Sequence, residues 1–581
     1  MRISHQGISR LFLGGRSLLT PLASRSYSFK VRRVWNMSGS PAAAAPAAPA
    51  TASAPPRQAN QGTAAAGAAP RQQGKRPFKQ NGGGQQKHNK KMRKRERDMK
   101  SGSHEEILAL DIKALLDEDA SAAAEEPPLP EQGSHIDVEV VELSSTGDGL
   151  AQLKGSKQVY VVPFSVPGDV VKVKAYRHMQ EGYTIADFIS IVKPSPLRDD
   201  SRISCKYFAT CSGCQFQMLD YAEQLRLKRR ILIPTIQDTI GSPLQYGYRT
   251  KLTPHFDGPS GWSRGKNPFT SRPPIGYMPK GSRKTIDIED CPIGTDAVRV
   301  GMKKERERME TEFGKYTRGS TILLRESTKR IPKDAAAAAA PESESSSIPS
   351  DAVVVESDRH TDYKTCVTDN KGMSTEYIDD FVFHNPAGSF FQNNNSILPP
   401  SPTTSASTSS PSPTPTLPPY LVDAYSGSGL FTITLSSQFK QSVGIDIAEQ
   451  SIEYARKNAT ANRLPDSQAK FIAADANELF QSLGSYPPDE TVVMLDPPRK
   501  GCDANFINQL LRFGPKRVVY VSCNVHTQAR DVGHLVRGET GEAGQEVVGG
   551  KKGGKKVRYD IESLIGFDFF PQTGHVEGWR C

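Results

Sequence analysis

The chain has 581 residues, a formal charge of +11 and eight cysteines. That length exceeds a single compact core and implies several domains. No apolar run reaches the ~18 residues of a membrane-spanning helix, so no membrane segment is expected. The cysteines are too few and too unevenly placed for a secreted disulfide framework, and reduced thiols in metal or catalytic roles fit better.

The basic charge is local. Residues 1–100 hold 20 of the 74 Lys/Arg but only two of the 63 acids, Glu96 and Asp98. Within them, residues 1–36 are basic, serine-rich and free of acids, the composition of a mitochondrial transit segment. Met37 offers a second start that would give a cytosolic or nuclear form. Residues 37–134 read as an unstructured arm, first basic and then acidic, with one short amphipathic helix at 104–118. Its basic part suits nonspecific contact with RNA phosphates, and equally a nuclear address or a solvated tail.

Residues 135–194 alternate β-branched segments with turn residues at short spacing, which predicts a small β-barrel. Residues 195–390 form a mixed α+β central domain, broken by a low-complexity insertion at about 334–350. A Pro/Ser/Thr-rich stretch at about 399–419 interrupts the start of the last domain, 391–581, and a Gly/Lys-rich one interrupts it again at about 537–556. From 420 onward, apolar strands alternate with helical patterns. The fold class is therefore α/β: a doubly wound, Rossmann-like C-terminal domain behind a barrel and a central domain.

Ligands of such sheets sit beyond the carboxyl ends of the strands, so the residues there carry the functional argument. The first strand runs into Asp423-Ala-Tyr425-Ser-Gly-Ser-Gly-Leu-Phe, where Gly427 and Gly429 permit a tight turn. The second ends at Asp446, placed for ribose hydroxyls, and the third at Asp475, placed for an adenine edge. Only two glycines are present, with Leu430 and Phe431 after them, so no pyrophosphate cradle is evident. A phosphate-free nucleoside cofactor, S-adenosylmethionine, fits better. The bland alternative is that Asp423 and Asp446 merely cap helices. The fourth strand ends in Asp496-Pro-Pro-Arg-Lys-Gly, whose prolines stiffen the turn. The fifth ends in Ser522-Cys523-Asn524, and Glu577 follows in Gly-His-Val-Glu.

Together with Phe390-Phe-Gln392-Asn-Asn394, these motifs resemble, in order and spacing, those of the RNA uracil-5-methyltransferase family. The likeness extends through a TRAM-like barrel and covers nearly all of the chain outside its tails and insertions. The tails and Met37 are similar to fungal members that make the T-loop 5-methyluridine of tRNA. The resemblance implies that Cys523 adds to uracil C6, that Glu577 removes the C5 proton, and that Gln392, Tyr425, Asp446 and Asp496 bind S-adenosylmethionine. It implies tRNA as partner and a monomeric enzyme. An unperturbed thiol is only a few per cent thiolate at neutral pH, so the site should lower the pKa of Cys523 or deprotonate it on attack.

Cys205, Cys211, Cys214 and Cys291 are four thiols of the kind that hold an iron–sulfur cluster or zinc. Their spacing is similar to that of cluster-bearing bacterial relatives, which implies a structural [4Fe-4S] cluster. A target uridine must be extruded from its loop, and Phe390 or Phe391 could stack on it. Arg249 and Lys251 alternate on one strand face, as phosphate contacts would.

Three departures from the family pattern stand out. Ser426 replaces a common cysteine. Val525 replaces a proline after the nucleophile, which predicts a looser loop. The ending Gly-Trp-Arg-Cys replaces an apolar strand, which predicts an empty place in the sheet beside Glu577. Two rival readings are a cytosine-5 RNA methyltransferase, which carries Pro-Cys where Asp496-Pro-Pro stands here, and a noncatalytic tRNA-binding or folding factor.

Overall fold

The computed structural model describes residues 103–118, 127–179, 181–232, 238–259, 267–333, 348–398, 419–474, 483, 486–539 and 557–581. The transit-like segment 1–36, the basic stretch up to residue 100, Asp475 and most of the three insertions lie outside them. Among the described residues, no helix is long and apolar enough to cross a membrane.

Within the segment 37–134, residues 103–118 and 127–134 are described, and the helix expected at 104–118 is present. Helix α1 (His104–Glu118) lays Leu108 and Ile112 onto Leu150, Val159, Val161 and Tyr183, burial that a loose arm would forgo. Those partners belong to a closed barrel of β1 (His135–Leu143), β2 (Gly149–Gln152), β3 (Val159–Val162), β4 (Val170–His178) and β5 (Tyr183–Lys193), ordered β1-β2-β3-β5-β4. Alternation along β1 and β4 turns Val138, Val140, Val171 and Val173 inward.

The central domain contributes α2 (Tyr221–Leu232) and small antiparallel sheets. One sheet joins β6 (Lys251–Leu252), β11 (Leu324–Pro332), β12 (Val353–Glu356) and β13 (His360–Val367). Another joins β7 (His255–Phe256), β8 (Gly276–Tyr277), β9 (Ile286–Asp287) and β10 (Ser320–Thr321). Helix α3 (Asp296–Glu312) buries Val298, Met302 and Met309 among Leu252, Phe256, Ile288 and Leu324. The hairpin of β14 (Met373–Ile378) and β15 (Phe381–Pro386) leads into the Phe390–Asn394 segment.

The last domain is a seven-stranded sheet ordered β18-β17-β16-β19-β20-β22-β21. Its strands are β16 (Tyr420–Ala424), β17 (Gln441–Asp446), β18 (Ala469–Ala473), β19 (Thr491–Leu495), β20 (Arg517–Ser522), β21 (Leu564–Phe567) and β22 (Glu577–Arg580). Strands β16 to β20 pair in parallel, whereas β22 runs antiparallel between β20 and β21. The helices are α4 (Leu430–Thr434), α5 (Glu449–Ala461), α6 (Ala504–Phe513) and α7 (Val525–Arg537). Strand order reverses between β16 and β19, the place where doubly wound sheets open a ligand crevice.

The end of the chain overturns one expectation. Glu577-Gly-Trp-Arg is itself the strand, so the place beside β20 is filled. Trp579 is 1% exposed and packs on Phe431 and Phe567, with ring centroids 5.6 and 4.8 Å away. One indole supplies the apolar surface that a longer strand would spread over several residues.

Candidate active site

A cleft of about 1010 Å³ opens beyond the carboxyl ends of β16, β17, β19 and β20. Cys523, Glu577, Gln392, Tyr425, Asp446 and Asp496 all line it, although they span nearly two hundred residues of sequence.

Each reaches the cleft by a local device. Tyr425 follows β16 in a left-handed backbone conformation, φ 66°, which a bulky residue adopts only when its surroundings enforce it. Its ring lies 5.3 Å from that of Phe506. Gly427, at φ 55°, continues the turn, and a Cβ there would meet open space, so the turn leaves room for a ligand. Asp446 accepts hydrogen bonds from the backbone N–H of Gly427 at 3.0 Å and of Ala448 at 2.8 Å, which fixes its carboxylate beside the glycine turn. Next to it Ile447 is 71% exposed at the cleft edge, an apolar surface suited to one face of a purine. Sequence reading passed over Ile447 because nothing marks an isolated exposed isoleucine. Asp423 takes the bland role: its Oδ2 accepts from Thr432 N–H at 3.0 Å and Thr432 Oγ1 at 2.7 Å and so anchors α4. The Gly427 turn and the Asp446 carboxylate beside it are groups suited to a nucleoside.

The Phe390–Asn394 segment divides its side chains. Phe391 is buried and packs 5.2 Å from Phe383, whereas Phe390 is 77% exposed at the cleft. Gln392 is buried, and the backbone of Asn393 accepts from Thr250 N–H at 2.9 Å. Asn458 of α5 and Asn462, which follows it as the C-cap, bond to the backbone of β15 at His384 and Val382, tying the hairpin to the C-terminal domain.

The nucleophile loop is held rather than loose. Asn524 caps α7 by accepting from His526 N–H at 3.2 Å, and its amide donates to Arg499 O at 3.0 Å. Thr527 Oγ1 donates to the same carbonyl at 3.1 Å, and Val525 is buried in the first turn. Gly501 closes the Asp496–Gly501 turn at φ 76°, where a Cβ would come within 2.5 Å of Asp531 Oδ2. Cys502 is buried against the Tyr520 hydroxyl at 3.7 Å and does not line the cleft, so it cannot stand in for the cysteine of a cytosine-5 enzyme.

Burial governs the electrostatics of the reacting groups. Burial pushes the Cys523 thiol up, Glu577 and Asp496 raise it further, and the side chain of Arg499 opposes them through charge and a hydrogen bond. The thiol is therefore protonated at rest and must lose its proton on attack. Arg499 is a residue that sequence reading quoted only as part of a motif. Burial lifts Asp496 to about 7, with Asp423 adding repulsion. Glu577 is raised well above its ordinary value by burial and then by Asp496, and its Oε2 has no hydrogen-bond partner among the described residues. An unpaired, buried carboxyl facing a cleft suits a group that takes up a proton during a reaction.

Other expected contacts are placed differently. Lys251 Nζ donates to the carbonyls of Gly388 and Ser389, both at 3.0 Å, and Arg249 Nε donates to Lys251 O at 3.1 Å. Lys251 is thus a brace for the Phe390 loop, and only Arg249 of the two lines the cleft. Cys205, Cys211, Cys214 and Cys291 stand near enough to raise one another's thiol pKa, with burial the larger cause; Cys214 and Cys291 are pushed up to about 12. Even so, among the described residues no group of three or more Cys, His, Asp or Glu is arranged to hold a metal ion.

Comparison with known proteins agrees with this geometry. A family model described as tRNA (Uracil-5-)-methyltransferase matches residues 380–542, and one described as the TRAM domain of tRNA (uracil(54)-C(5))-methyltransferase matches residues 136–197. The chain is 39% identical over 504 residues to the tRNA (uracil(54)-C(5))-methyltransferase of Schizosaccharomyces pombe, covering 84% of each chain. It is 39% identical over 483 residues to that of Saccharomyces cerevisiae, covering 76% of this chain and 72% of the relative. Among solved structures, it resembles the Pyrococcus abyssi tRNA (uracil-54, C5)-methyltransferase in complex with S-adenosyl-L-homocysteine. The TM-score is 0.50 at 24% identity, over 77% of this chain and 99% of the other.

Proposed function

The chain belongs to the tRNA (uracil-5-)-methyltransferase family, and from that premise we infer that it methylates C5 of uracil 54 in tRNA with S-adenosylmethionine as methyl donor. The observation that carries the reading is the convergence of Cys523, Glu577, Gln392, Tyr425, Asp446 and Asp496 on one cleft.

S-adenosylmethionine supplies an electrophilic methyl group on a positive sulfonium. Tyr425, the Gly427 turn, Asp446 and Ile447 would hold its nucleoside part, and Gln392 and Asp496 the end that carries the methyl. Cys523 bonds through Sγ to uracil C6 as its proton passes to water, and the C5–C6 electron pair becomes an enolate that makes C5 nucleophilic. Arg499 stabilises the developing thiolate. After C5 has taken the methyl group, which leaves S-adenosyl-L-homocysteine as a neutral thioether, Glu577 removes the C5 proton. The pair left behind re-forms the C5–C6 double bond and expels Cys523 as thiolate. Extrusion of the uridine leaves a vacated stack, and the exposed Phe390 is the ring available to meet the base.

The decisive experiment incubates an unmodified tRNA transcript with S-adenosylmethionine and wild-type or Cys523→Ala protein. Wild type yields 5-methyluridine at one T-loop position and the variant none. Equal methylation by the variant would refute the covalent route, and inert wild type would favour a noncatalytic tRNA-binding role.

Three finer points are proposals from sequence. A [4Fe-4S] cluster on Cys205, Cys211, Cys214 and Cys291 is supported by the four neighbouring thiols and is tested by iron and acid-labile sulfide in anaerobically purified protein. Dual targeting through residues 1–36 and Met37 is tested by localising reporter fusions from each start. A monomer is tested by light scattering.

A further inference from the structure

We propose that Lys371 and Lys500 form a phosphate-binding rim at the mouth of the cleft, gripping the RNA backbone beside the inserted nucleotide. The proposal rests on RNA being the substrate, as inferred above. Both lysines line the cleft from separate segments, the turn between β13 and β14 and the turn after β19, and both side chains are exposed. Among the described residues, neither ammonium has a carboxylate or other acceptor, whereas Lys251 is spent on Gly388 and Ser389.

Their backbones are fixed although their side chains are free. Gly388 N–H donates to Asn370 O at 3.1 Å and Ala387 N–H donates to Gly372 O at 2.8 Å, which locks the Lys371 turn to the loop carrying Phe390. Arg530 donates to Lys500 O at 2.9 Å and also pairs with Asp531, which holds the other turn.

Charge then sorts the nucleotide. A phosphate would lose its hydration in the interior beside the buried Asp496 and Glu577, a cost that uncharged uracil does not carry. Lys371 and Lys500 are exposed, so phosphates beside them remain hydrated and each ammonium can act as a point charge.

The test measures tRNA affinity against salt, steady-state KM for tRNA and KM for S-adenosylmethionine, using full-length wild type, Lys371→Ala, Lys500→Ala, the double variant and both Lys→Arg replacements. Each alanine should lower the slope of log affinity against log salt by about 1 and weaken tRNA binding about three- to tenfold, with arginine restoring both. An unchanged salt slope in the double variant, with wild type active, overturns the proposal. A rise in the S-adenosylmethionine KM without a change in salt slope also overturns it, because the lysines would then serve the methyl donor. Inactive wild type would instead sink the underlying reading.

Discussion

Lys228 Nζ and Asp568 Oδ1 stand 2.5 Å apart with neither side chain exposed, and they join α2 to the segment that leads into β22. The Tyr221 hydroxyl donates to the other carboxylate oxygen at 3.0 Å, and Lys228 also donates to Phe570 O at 3.0 Å. Removing the cation alone strands a buried carboxylate. Lys228→Met should therefore cost about 3–5 kcal/mol in urea unfolding, and adding Asp568→Asn should recover a good part of it.

Glu577 and Cys523 act at different moments, so their variants should differ in kind. Cys523→Ala should bind S-adenosyl-L-homocysteine normally and form no product. Glu577→Gln should form the covalent RNA adduct and fail to release it, giving a slow-migrating band in denaturing gels. Absence of the band with Glu577→Gln would remove Glu577 from the proton-abstraction step.

Asp496 links activity to stability through pH. Its folded value is about 7, against about 3.9 for an unfolded aspartate. The folded state holds the extra proton between those values, so the carboxyl's cost is absent below the unfolded value, grows as pH rises and is complete above the folded one. Asp496→Asn should stabilise the protein by about 2–4 kcal/mol at about pH 8 and by little at about pH 4, while methylation collapses. Unfolding curves at both pH values, each paired with wild type, check the difference.

Phe390 and Phe391 offer a neighbouring pair with opposite expected outcomes. Phe390→Ala should leave the melting temperature unchanged and weaken methylation of tRNA, because the ring is 77% exposed. Phe391→Ala should cost about 3–5 kcal/mol, because that ring is in the core. Thermal melts with paired tRNA kinetics separate the two.

Strand-end residues were the legible part of this chain. Asp446, Asp496 and Cys523 could be placed because a parallel sheet carries every strand end to one edge, so local pattern fixes a global position. Residues positioned by contacts distant in sequence were not legible. Lys251 looked like a phosphate ligand, yet its partners are carbonyls of Gly388 and Ser389, far along the chain. Val525 looked like a loss of rigidity, yet Asn524 and Thr527 hold the loop through Arg499 O. The Gly-Trp-Arg ending looked too short to be a strand. A short strand suffices when it is paired on both sides and carries an indole into the core, and neither fact is written in four residues.

In the sheet, β22 lies between β20 and β21, although β21 precedes it in the chain. The two therefore make a hairpin that docks on β20 as one piece, bringing Glu577 with it. The glycine turn, Asp446 and Asp496 belong to elements outside that hairpin. Partial undocking would leave a molecule that still grasps the methyl donor but has no base with which to complete turnover. Such a protein falls silent before it unfolds, and hydrogen exchange in residues 564–580 would report that threshold sooner than a melting curve.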